Sequence, residues 1–97
     1  MAQTVSECLT AATDSVTVIN DINSKGLASK HLAASDPSAG VTQADANARV
    51  KANVDHLTLI LAYDGTNDTP NVAGASDNKS SYTTAITTGN SYISSNS

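Results

Sequence analysis

The chain has 97 residues, five of them Lys or Arg and nine Asp or Glu, for a formal net charge of −4. That length is one domain's worth. The charge balance gives nucleic acid no basic stripe to bind and anionic membrane no polybasic anchor. Leu, Ile and Val together fill 18 positions, Phe and Trp are absent, and the three aromatics are Tyr63, Tyr82 and Tyr92. This lies at the edge of the composition of disordered chains, but without their high net charge, so a folded protein with a thin core is expected. Ser, Thr and Asn account for 34 residues, while Glu occurs once, at Glu7. Thin-cored small domains commonly gain stability by associating, and interfaces are poor in Lys and Glu. Both points favour a protein that packs against other copies or other chains.

No basic region followed by an apolar run opens the chain, so no signal peptide is expected. The longest aliphatic run, Leu57 to Ala62, is too short to span a bilayer. A single cysteine, Cys8, forms no internal disulfide and suits synthesis in a reducing cytoplasm.

Thr4-Val5-Ser6-Glu7 reads as a capping box. Val5, Leu9, Ala12, Val16 and Ile19 then recur at helical spacing, and Lys25 and Gly26 suit a helix end. A first helix is expected over residues 5–25. Val18 and Ile22 fall beside its main stripe and widen the apolar face toward the C-terminal end.

Residues 27–41 read as a polar connector. Leu27, His31 and Leu32 allow a short helical piece, after which Asp36-Pro37 and Gly40 break the chain. Thr42-Gln43-Ala44-Asp45 opens a second helix in the style of the first, with Val50, Val54, Leu57 and Leu61 as its stripe and Gly65 as its stop. Leu59 points about 160° away from Leu57 and Leu61 at 100° per residue. With Ile60 beside it, the end of this helix is apolar nearly all round, and either a third helix or a neighbouring subunit would have to cover it.

Residues 65–78 form a second polar connector. In the tail, Tyr82, Ala85, Ile86, Gly89, Tyr92 and Ile93 fit a helical face. Its threonines and Gly89 are poor helix formers, and a strand with Tyr82, Thr84 and Ile86 on one side competes. Helix is the preferred reading. The fold class expected is all-α, a single helical domain over residues 1–97, with two long helices and a less regular third.

Candidate chemistry is sparse. His56 lies on the flank of the second helix, and Asp55 beside it points about 100° away, so the two make no base–orienter pair by themselves. His31 is distant in sequence, and Cys8 beside Leu9 reads as a small buried hydrophobe. Asp64, Thr66 and Asp68 alternate around Gly65 as in oxygen-rich Ca²⁺ loops, but no glutamate follows at the twelfth position. A helix cap followed by a polar turn explains the same residues. No catalytic residue, cofactor or metal is assigned.

The opening "MAQTV", the Ala, Ser, Thr and Asn richness and the central "NVDHL" helix give the chain a texture that resembles small accessory virion proteins of tailed phages. The resemblance covers the whole chain and rests on no diagnostic motif, so it carries over no functional residue. It implies a virion component made in the host cytoplasm, decorating a capsid or sitting at the neck or tail, and doing no chemistry. Its partners would be copies of itself or larger capsid or tail proteins, with neither nucleic acid nor membrane bound. Val18, Ile22, Leu59, Tyr82 and Tyr92 are the interface candidates. The alternative is a small acidic inhibitor or adaptor for one protein partner, although no acidic run supports mimicry of DNA.

Overall fold

A computed structural model describes residues 3–97. Its elements in chain order are α1 (Val5–Lys25), a single 3₁₀ turn (Gly26–Ala28), α2 (Gln43–Leu61) and α3 (Ser80–Ser95), with no strand among the described residues. The chain is a small all-α bundle in which each helix packs against the other two.

The helix starts follow from local chemistry. The Glu7 N–H donates to Thr4 Oγ1 at 3.1 Å, and the Thr4 N–H donates to Glu7 Oε1 at 2.9 Å. Thr42 and Asp45 repeat this reciprocal pair at the start of α2, at 3.2 and 2.9 Å. Each box satisfies donors that a helix end leaves bare. At the far end of α1, Lys25 pairs with Asp21 at 3.2 Å, and Gly26 turns the chain with φ 58°.

The end of α2 differs from the sequence expectation. The helix stops at Leu61, and Ala62 and Tyr63 donate to the carbonyls of Leu59 and Ile60. Gly65 takes its positive φ of 88° inside the following loop instead. The early stop lets the Tyr63 carbonyl receive the Ala73 N–H at 2.8 Å. That bond folds the loop back over the bundle.

The tail is helix, and the strand alternative is set aside. Thr83 and Thr87 hydroxyls donate back to the carbonyls of Lys79 or Ser80 and of Thr83, so they satisfy themselves within the helix. Gly89, the poorest helix former, is buried where α3 packs against α2 and α1. A Cβ there would collide with Val54 Cγ2 and lie 3.1 Å from Val50 Cγ1.

Side-chain bonds fix the directions. Tyr82, at the start of α3, reaches Thr13 and Leu9 in the first half of α1. Gln43 and Asn47, at the start of α2, reach Tyr92 and Asn96 at the end of α3. Thus α1 and α3 run the same way and α2 runs against both. The bundle is long for its size, 43 × 26 × 19 Å, with a radius of gyration of 14.6 Å against about 12.5 Å for a compact chain of this length.

The core is centred on Ile19 and Ile22 of α1, Val50 and Leu57 of α2, and Val72, all fully buried. The face that α1 buries is rotated from the expected stripe. Val5, Leu9 and Val16 are only half-buried, whereas Cys8, Ser15, Val18 and Ile22 face inward. On α2, Ile60 is buried and Leu61 is half-exposed. Docking of α3 along the seam between α1 and α2 decides both. Val72 enters the core from the 65–78 connector, so that segment is a core-plugging loop and not purely polar.

Candidate interaction surface

The five interface candidates separate sharply once the helices are packed. Ile22 is 0% exposed, and Val18 and Tyr92 are also buried within the chain. These three are core residues, and their expected role between chains is withdrawn. The face of α1 that carries Val18 and Ile22 is covered by the chain's own helices. Tyr92 is held there by its hydroxyl, which accepts from Gln43 Nε2 at 3.0 Å.

Tyr82 is half-buried between α1 and α3. Its hydroxyl lies 3.2 Å from Thr13 Oγ1 and donates to the Leu9 carbonyl at 3.4 Å. Both contacts are internal. Leu59 is 56% exposed, as its angular position on α2 requires. Leu27, at 44%, is the other exposed large aliphatic among the described residues. It sits in the 3₁₀ turn Gly26–Ala28, the short helical piece expected there. It lies just past the end of α1, toward the end of the bundle opposite Leu59.

Around Leu59 the end of α2 and the following loop form a shallow depression lined by Ala62, Tyr63, Thr66, Asn67 and Thr69. Its rim is neutral except for Asp64. The Asp64 carboxylate accepts the Thr66 hydroxyl at 2.6 Å and the Thr66 N–H at 3.1 Å, which hold it below the usual carboxylate range. The loop then passes through left-handed backbone at Asn67 and Asp68, φ 54° and 62°. Asn and Asp tolerate that region better than most residues. The alternating oxygens read in sequence as a possible Ca²⁺ loop are thus arranged as an Asx turn. No group of three or more His, Cys, Asp or Glu converges as a metal site among the described residues.

Two arrangements touch on catalysis. Ser15 Oγ and His56 Nδ1 lie 3.0 Å apart across the α1–α2 seam, a pairing that sequence could not foresee because the partners are 41 residues apart. Ser15 is buried, and its hydroxyl links α1 to His56 of α2 through that bond. Asp55 turns to Lys51 at 3.1 Å rather than to His56. The pair serves as a polar tether between helices. Burial pushes the Cys8 thiol up from its ordinary value, and the charge of Glu7 adds to the shift. A protonated, enclosed thiol is a packing group and a poor nucleophile.

The fold and this surface define a three-helix bundle with an apolar corner at Leu59, in a polar rim whose one charge is Asp64. Comparison with family models, with characterised proteins and with solved structures finds no match for the chain.

Proposed function

We propose that this bundle is a non-enzymatic assembly protein, a phage virion component that packs against copies of itself or against a larger capsid or tail protein. It would be made in the host cytoplasm and act in the virion. The observation that carries the reading is Leu59, the most exposed large aliphatic side chain described. A lone exposed leucine is ordinary on a protein surface. Leu59 differs in having Ala62 and Tyr63 beside it and a rim of hydrogen-bonding groups around it, neutral but for Asp64. A small apolar centre with a polar rim is the anatomy of a contact patch. Its modest extent suits a protein held in place by many neighbours.

The burial of Val18, Ile22 and Tyr92 narrows the proposal. The contact no longer involves broad apolar faces; it centres on the C-terminal end of α2. Native mass measurement of the purified chain and of Leu59→Asp tests this. A defined oligomer or particle that Leu59→Asp reduces to folded monomer supports the reading. A wild-type monomer that captures one partner protein supports the adaptor alternative. Unfolding of an otherwise monomeric Leu59→Asp chain would place Leu59 in the core and defeat the proposal.

A further inference from the structure

The antiparallel course of α2 puts the two exposed leucines at opposite ends of a body 43 Å long. Leu59 stands at the end built from the start of α1, the last turns of α2, the 65–78 loop and the start of α3. Leu27 stands at the other, in the turn between α1 and the connector to α2. Charge separates these ends. The Leu59 half of the bundle holds Glu7, Asp14, Asp55, Asp64, Asp68 and Asp77 against Lys79, a local balance of −5. The Leu27 half sets Asp21, Asp36 and Asp45 against Lys25, Lys30, Arg49 and Lys51, a balance of +1. The net charge of −4 is thus carried entirely by the Leu59 end.

The unlike charges are also available. Asp64 and Asp68 belong to the loop that borders Leu59, exposed and in no ion pair among the described residues. Lys79, the cation of that half, gives its ammonium to the Ala75 carbonyl at 2.6 Å. At the other end Lys30 and Arg49 are exposed and likewise unpaired among the described residues, while Lys25 is shared with Asp21 at 3.2 Å. Two Leu59 ends brought face to face would set Asp64 and Asp68 of one copy against the same pair of the other, and like charges across a contact repel. A contact between unlike ends instead offers Lys30 and its neighbours to those carboxylates and buries both leucines. The surface complementary to the Leu59 patch is therefore on the chain itself.

We propose that copies of this chain join head to tail, the Leu59 end of one bundle seated on the Leu27 end of the next. Such joining rests on the reading of Leu59 as an assembly contact and specifies what that patch meets. A head-to-tail contact leaves an unused patch at each end of the assembly. Copies add until the rotation per step closes a ring, or they continue as a filament.

Sedimentation and native mass measurement of the full chain, of Leu59→Asp, of Leu27→Asp and of their equimolar mixture test it. The wild-type chain should form species larger than a dimer. Each variant alone lacks one end and should associate at least about tenfold more weakly, the effect of one lost leucine contact, with its helicity by circular dichroism unchanged. Mixed, they should form a one-to-one pair and nothing larger, because the intact Leu27 end of one variant meets the intact Leu59 end of the other. Lys30→Glu, at an exposed position, reverses the charge of the Leu27 end and should weaken association too; it replaces Leu27→Asp where that variant fails to fold. Wild-type assembly that Leu59→Asp abolishes, but that Leu27→Asp and Lys30→Glu leave intact, means a two-fold Leu59 contact. That result overturns head-to-tail joining and keeps the assembly reading. Mixed variants that stay monomeric overturn it as well. A wild-type chain that is monomeric at every concentration removes both.

Discussion

Single residues decide how closely these helices approach. Gly89 is the sharpest case. On an exposed helix, Gly→Ala gains about 1 kcal/mol, but here the added methyl meets Val54 and Val50. Overpacking of this kind costs about 1–3 kcal/mol. Gly89→Ala should therefore lower the urea midpoint, and a raised midpoint would show that α3 sits further from α2 than described. Sequence marked Gly89 as a weak point in a helix; its value as a contact point depends on Val54, 35 positions away. Val72 teaches the same lesson. It is the one large aliphatic residue of the 65–78 connector, with no periodicity to betray it, yet it is fully buried. Leu59 was legible, because the 100° step of a helix fixes its direction relative to Leu57 without any knowledge of neighbours.

At the level of the element, α1 and α2 are set by their caps. Thr4→Ala and Thr42→Ala should each cost about 1 kcal/mol in chemical denaturation. Loss at only one of them would mean that the other box is redundant with packing. The caps also bear on acid stability. Asp45 is held below the usual carboxylate value first by Ser35, then by Thr42, and Asp21 first by Ser29. A carboxylate lowered in the folded state stabilises it fully above the unfolded value, near pH 4, and the benefit disappears as pH falls through the folded value. Thermal stability should thus be flat from about pH 5 upward and fall below about pH 4. Asp45→Asn should be less stable at neutral pH and show a shallower acid limb; an unchanged limb would remove Asp45 from the account. The capping boxes could be read from the sequence because every participant lies within four residues. The helix stop at Leu61 could not, because it answers to the bond between Tyr63 and Ala73 across the loop.

For the whole molecule the question is whether a lone chain is sufficient. Composition suggested a core too thin to be self-contained, with apolar faces left over on α1 and α2. The packed bundle hides most of them, leaving Leu59 and Leu27 exposed at opposite ends. Leu59→Asp should accordingly change monomer stability by no more than about 0.5 kcal/mol, the usual range for an exposed site, while removing any self-association seen by native mass measurement. A loss of several kcal/mol would return Leu59 to the core and take the assembly proposal with it. A stable, monodisperse monomer at high concentration would shift the weight to docking on a different protein.

The sequence by itself determined the helical class, the starts of α1 and α2, the end of α1 and the outward direction of Leu59. All of these rest on contacts within a few residues or on the fixed geometry of one helix. Tertiary structure alone decided that Val18, Ile22 and Tyr92 are core, that Ser15 meets His56, and that Val72 plugs the bundle. Those outcomes depend on the rotation of each helix about its own axis. That rotation is chosen by how three surfaces fill space together, and no single segment encodes it.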